Sequence, residues 1–306
     1  MQRQGSVLPV LVVVLALIVI WYVASVLLNA PVLLDSYARN KIAWSLPQLI
    51  LDAWAQPRPQ LPSPHQVAID LWNSTMTLAP TSKRSLLYHS WITLSATLLG
   101  FAMGTALGIL LAVFIVHNRS ADRSLMPWII ASQTIPVLAI APMIVIVCYN
   151  LLTGQNMLAE TLHLDADSAR LVSKALISTY LSFFPVVVGM VKGFRSPEAI
   201  QRDLMRMYDA STWQVFWKLR WPTAIPYLFT SMKVAVAASL VGAIVGELPT
   251  GAVAGLGSRL LSGSYNGQTV QIWSALFAAS ILAGVLIIVV GLVERAVVRN
   301  MGARSA

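Results

Sequence analysis

The side chains able to do chemistry in this sequence are few and scattered. Its four histidines, His65, His89, His117 and His163, stand far apart, and neither His-Glu-x-x-His nor Cys-x-x-Cys spacing occurs. No zinc set and no metal site is expected. The single Cys148 excludes an intrachain disulfide and reads as a small apolar residue inside an apolar run. No Gly-x-x-x-x-Gly-Lys-Ser/Thr stretch is present, so the chain is not expected to bind or hydrolyse ATP itself. Gly100-x-x-x-Gly104 lies inside an apolar helical run rather than after a strand, which removes a dinucleotide fingerprint. No nucleophile, base or catalytic set remains, and the chain reads as a non-enzyme.

What does stand out is recognition chemistry in the charged insert 196–226, SPEAIQRDLMRMYDASTWQVFWKLRWPTAIP, set between two apolar segments. Ser196-Pro197-Glu198 has the make-up of a helix start: Ser caps free amides, Pro is preset for the first turn, and Glu suits the positive end of the dipole. A second start follows, because Ser211 and Gln214 have capping-box spacing. Helical offsets then place Trp213, Phe216 and Trp217 on one face with Arg220 beside them. Such a face suits a docking surface, with the aromatics filling a groove and Arg206, Lys218 and Arg220 setting electrostatic register. The plainer reading of the same aromatics is a belt lying on lipid.

The elements that position this insert follow from composition. The chain is 57% hydrophobic and 11% charged over 306 residues, against about 25% charged in soluble domains. Apolar runs at 8–28, 91–116, 127–152, 175–191, 227–245 and 272–293 approach the roughly 20 residues that one helical crossing needs. An all-α polytopic membrane protein with about six spans is expected; a strand barrel would show short alternating segments instead. The division is an N-terminal transmembrane helix at 1–30, an external segment with short interfacial helices at 31–90, a five-helix core at 91–295 containing 196–226, and a cytoplasmic tail at 296–306. The Arg3-led apolar run reads as an uncleaved span. Most of the 21 Lys and Arg fall on one side if both termini and the 196–226 segment are cytoplasmic. The net charge of +9 then reflects basic loops beside anionic membrane lipid, and its scatter among spans argues against nucleic-acid binding.

Within the core, Gly100, Gly104, Gly108 and Ala112 make a small-residue stripe for close helix packing. Ser132-Gln133-Thr134-Ile135-Pro136, with Pro142 further on, must kink or break the third span. Gln133 and Thr134, beside Pro136, then either pack against a neighbouring helix or line a translocation path. Lys233 is placed to reach the membrane interface as an anchor, and Glu247 suits a gate or a structural hydrogen-bonding role. The glycines between 251 and 267 suggest a flexible outer loop. Leu61-Pro62-Ser63-Pro64 marks a break before a weakly amphipathic stretch at 65–78.

The insert resembles the cytoplasmic coupling segment, or EAA motif, of ABC-importer permeases. Asp203-Leu204-Met205 stands in the acidic-Ala-Ala place, Asp209-Ala210-Ser211 in the Gly-Ala-Ser place, and 219–222, closing on Pro222, in the hydrophobic-x-x-Pro place. Trp213-Gln214-Val215-Phe216 with Lys218, and the Leu-Pro-Ser-Pro stretch, are similar to the nitrate/sulfonate/taurine-type branch. Two departures are the bulk of Leu204-Met205 and an Asp where Gly normally permits a left-handed turn, a conformation that Asp tolerates better than most. The resemblance covers roughly 61–293 and implies a type I importer permease fold in a bacterial inner membrane. It further implies two ATPase subunits carrying ATP and Mg, a periplasmic solute-binding protein, and a second copy of the chain or a paralogous permease. Transport would proceed by alternating access, for a small polar solute of the sulfonate, nitrate or pyrimidine-type thiamine-precursor kind. The alternative class is an ion-gradient-driven secondary transporter or channel, which would more often show mid-membrane carboxylate pairs or inverted repeats.

Overall fold

The computed structural model describes residues 7–154, 165–248 and 254–301, which divide into two compact units, one of residues up to 89 with 259–278 and one of 90–258 with 279 onward. Arg3, Arg304, His163 and the 249–253 part of the expected outer loop lie outside the described residues. The helices in chain order are α1 (Val7–Asn40), α2 (Leu46–Ala55), α3 (Pro64–Trp72), α4 (Leu86–His117), α5 (Arg119–Ser132) and α6 (Val137–Thr153). They continue with α7 (Ala166–Arg195), α8 (Ala199–Met207), α9 (Thr212–Val215), α10 (Trp221–Glu247), α11 (Leu256–Tyr265) and α12 (Thr269–Asn300). Among the described residues all regular structure is helical, including π-helical turns at Asn73–Thr77 and Phe216–Arg220. Among the described residues five helical runs are long and apolar enough to cross a membrane: α1, α4, α7, the run from α9 through α10, and α12.

A sixth crossing exists only if α5 and α6 are taken together, and these meet at 100°. The single third span expected at 127–152 is therefore two helices. Pro136 lacks an amide proton and biases Ile135 away from helical geometry, so the chain turns at Gln133–Pro136 and restarts at Val137. The first span also differs, running through Pro31 to Asn40 instead of ending near residue 30.

In the first unit the extension of α1 has a use. Asn29 is fully buried. Its amide donates to the carbonyls of Ala53 (3.2 Å) and Leu61 (2.9 Å), while its Oδ1 accepts from the Gln60 (2.7 Å) and Leu61 (3.3 Å) amides. One side chain thereby satisfies four backbone groups of a connection that would otherwise be stranded away from water. The Trp21 indole donates to Pro62 O at 2.9 Å, and Tyr37 OH donates to Asp52 on α2. The Leu-Pro-Ser-Pro break ends in a capping box in which Ser63 and Gln66 start α3. The stretch 31–60 is thus helix and anchored connection rather than open loop.

In the second unit, α7 packs along α10 and closely against α4. A Cβ on Gly100 would lie 2.2 Å from Ser178 Cβ and 2.7 Å from Ala175 O, and one on Gly108 would lie 2.7 Å from Val186 Cβ. The stripe on α4 is an internal contact that brings backbones together, reinforced by Thr179 and Ser182 hydroxyls that donate to Gly100 O, each at 3.3 Å. Further along, Phe183, Val186, Met190 and Phe194 of α7 form the main apolar core with Ala112, Ile115 and Ile129. The glycine-rich stretch expected to be a flexible loop over 251–267 is instead helical across 256–265, where Leu256 is fully buried.

Gly100→Val is expected to lower folded yield and melting temperature in detergent, since overpacking a tight contact costs about 1–3 kcal/mol. Gly284→Val on α12, where an added Cβ meets nothing within 4 Å, is expected to leave both unchanged in the same thermal-unfolding assay.

Candidate functional site

The 196–226 insert is built by two caps and a left-handed turn. Ser196 closes α7 rather than opening α8: its backbone is still helical and its hydroxyl donates to Gly193 O at 2.7 Å. The expected Ser196-Pro197-Glu198 start is corrected by two residues, because Glu198 is the cap and shares a reciprocal capping box with Gln201. At the other end of α8, Asp209 adopts φ +47°. The Asp209 amide donates to Arg206 O (2.9 Å) and the Ala210 amide to Met205 O (3.0 Å). That pair of bonds is the Schellman closure, with Asp in the position usually given to Gly. Ser211 then caps α9, accepting from the Gln214 amide at 3.3 Å while Gln214 Oε1 accepts from the Ser211 amide at 2.9 Å. Pro222 sits in the first turn of α10, where no amide proton is needed.

No residue of α8 is buried. Ile200, Leu204, Met207 and Tyr208 are exposed, as is Trp213 at 70%. Asp203 is held by Arg206 at 3.2 Å in an exposed ion pair, and Lys218 is exposed while Arg220 is half-buried. A nine-residue helix with no buried face lacks the packing that stabilises short helices.

Phe216 departs from the expected aromatic face. It is 4% exposed and packs against His117 (5.2 Å between ring centroids), Phe194 (5.3 Å) and Trp221 (6.1 Å). The π-helical turn at Phe216–Arg220 widens the helix and rotates this ring into the core. Phe216 is a core residue, not a free anchor. Trp213 and Trp217 remain on the outside, edge to face at 5.5 Å, with Trp217 45% exposed.

The residues proposed for a path separate into two places. Gln133, Thr134 and Pro136 are exposed at the α5–α6 break; the Gln133 amide donates to Ser132 Oγ (3.3 Å) and the Thr134 hydroxyl to Ala131 O (2.8 Å). Tyr180 OH donates to Ser132 O and ties the break to α7. Glu247 is fully buried. It accepts from Thr93 Oγ1 at 2.9 and 3.1 Å and from the Gly257 amide at 2.8 Å, with Lys174 Nζ at 3.8 Å.

Lys174 and Thr93 were not singled out from the sequence. Lys174 stands just before an apolar run, yet its side chain is only 7% exposed. Lys233, expected as an interfacial anchor, pairs with Glu294 of α12. A cation near membrane depth is stabilised by a paired acid on the adjacent helix without needing to reach water. Among the described residues no group of three or more His, Cys, Asp or Glu is arranged to hold a metal.

Residues 104–303 match the family described as binding-protein-dependent transport system inner membrane component. The formylaminopyrimidine transport permease protein of Halalkalibacterium halodurans is 31% identical over 72% of this chain and 78% of its own. The riboflavin transport system permease protein of Chloroflexus aurantiacus is 31% identical over 78% of this chain and 80% of its own. A putative aliphatic sulfonates transport permease protein of Bacillus subtilis is 23% identical over 68% of each chain. With the matched region spanning α5 to α12 and the whole capped insert, this chain belongs to the inner membrane components of binding-protein-dependent transport systems.

Proposed function

We propose that this chain is the membrane-spanning subunit of an ATP-driven importer and that 196–217 is the surface on which its ATPase partner docks. The observation that carries the assignment is α8 and α9: twice capped, joined by a left-handed Asp209, and presenting Ile200, Leu204, Met207, Tyr208 and Trp213 with nothing of α8 buried. An ordered segment that leaves its apolar side chains uncovered is made to be covered by another protein. Two ATPase subunits, supplying ATP and Mg, and two copies of this chain make the closed twofold assembly that identical subunits favour. A periplasmic binding protein delivers the solute.

Membership of a binding-protein-dependent family supports this reading over an ion-gradient carrier. The two relatives at 31% identity are named for a pyrimidine and for riboflavin, and the sulfonate relative stands at 23%. A small nitrogen-heteroaromatic solute is therefore favoured over a sulfonate or nitrate-like anion. In alternating access, ATPase closure pulls on α8 and α9, and the aromatic series from Trp213 through Phe216 and Trp221 to Phe194 carries that displacement into α7 and α10. Gln133 and Thr134, at the broken helix where backbone groups need a polar surrounding, line the path.

Truncation variants separate docking from folding. Trp213→Ala is expected to leave membrane abundance unchanged and to weaken ATPase recruitment by roughly tenfold to thirtyfold, the effect of removing an anchor of about 2 kcal/mol. Phe216→Ala is expected to destabilise the subunit itself by about 3–5 kcal/mol, lowering abundance before any loss of docking is seen. Recruitment measured at matched membrane levels decides, and normal recruitment by Trp213→Ala contradicts docking at this surface.

Orientation is tested separately. With Lys and Arg concentrated on the inner side, a reporter fused after Ser211 is expected to give a cytoplasmic signal and one fused near Trp72 a periplasmic signal. The reverse pattern would remove the docking assignment.

A further inference from the structure

Glu247 is an acid at the C-terminal end of α10, where the helix dipole is unfavourable to negative charge. It is nevertheless fully buried. Its compensation comes from three directions: the Thr93 hydroxyl on α4, the Lys174 ammonium on α7, and the Gly257 amide in the first turn of α11. The positive end of α11 thus meets the acid that ends α10.

The same groups hold the backbone of 254–257. Thr93 Oγ1 accepts from the Leu256 amide at 2.9 Å while donating to Glu247, and Lys174 Nζ donates to Ala254 O at 3.3 Å. Gly255, at φ +132°, lies so close that an added Cβ would stand 2.2 Å from the Glu247 carboxyl carbon. Backbone and carboxylate fit together only without a side chain there. Thr93, Lys174 and Gly257 stand on three different helices, so the carboxylate joins α4, α7 and α10 to one short piece of backbone.

We propose that Glu247, Thr93 and Lys174 are positioning residues for transport: a buried carboxylate clasp that fixes the 254–257 backbone to α4, α7 and α10, so that movement of those helices is passed to the α10–α11 connection. The inference rests on the alternating-access reading for its role in transport, but the clasp itself is tested without it.

The complete transporter carrying Cys148→Ser and Ala254→Cys, in detergent, is reacted with a water-soluble maleimide. Adding Glu247→Ala, Thr93→Val or Gly255→Ala is expected to raise the labelling rate about tenfold, the effect of losing a charge-assisted hydrogen bond that holds the segment. Glu247→Gln, which keeps an acceptor for Gly257, is expected to fall between these and the parent. Lys233→Met, which breaks the separate Lys233–Glu294 ion pair, is expected to change nothing at this position. Gly255→Ala disrupts the clasp from the backbone side and serves if Glu247→Ala does not fold.

Equal labelling in all variants overturns the clasp. Faster labelling with full binding-protein-stimulated ATP hydrolysis and uptake overturns the positioning role, whereas faster labelling with both reduced in step supports it. Absence of binding-protein stimulation in the parent complex would instead count against the importer reading alone.

Discussion

Ser178 of α7 is approached by two glycines from two different helices. Gly100 of α4 approaches its Cβ, and an added Cβ on Gly242 of α10 would stand 2.7 Å from its Cα. In a membrane the apolar driving force between helices is weak, so close van der Waals contact and hydroxyl-to-carbonyl hydrogen bonds have to hold the bundle. Here both are present: Thr179 and Ser182 donate to Gly100 O, and Ser239 of α10 donates to Thr97 O at 2.8 Å. Because α4 and α10 are both pressed against α7, the three helices form one connected core, with a distinct feature at each end.

At one end, α7 leads into the capped insert. The core ring Phe216 meets Phe194 near the end of α7 and Trp221 at the start of α10. The exposed Trp213 stacks on Phe216 at 6.2 Å. The exposed Trp213 and the core therefore share a continuous aromatic series that touches both helices. Arg195, at the last residue of α7, is fixed by Asp122 of α5 at 2.8 Å, which extends the connection toward the broken α5–α6 pair. At the other end, α4, α7 and α10 each contribute one side chain to the Glu247 centre.

Much of this was legible in the sequence where a local rule governs. Long apolar runs located the spans, the small-residue stripe identified a packing face, and the Ser211 and Gln214 spacing located a cap. Asp209 in a Gly position signalled a left-handed turn, and the backbone has one. The misses are tertiary. Phe216 was assigned to an exposed face because regular helical offsets were assumed, whereas a π-helical turn shifts the register inward. Lys174 could not be matched to Glu247 because 73 positions of chain separate them and no periodicity links the two. Asn29 and Thr93 look like ordinary polar residues until the backbone groups they satisfy are brought beside them.

The central claim is that 199–215 is ordered but uncovered until an ATPase binds. Amide hydrogen exchange in the detergent-solubilised subunit, with and without its ATPase, tests it directly, since exchange reports local opening. The account predicts slowed exchange across 199–215 on ATPase binding, with little change in the already buried 186–194 stretch of α7. Unchanged exchange in 199–215, with protection appearing elsewhere, would contradict it.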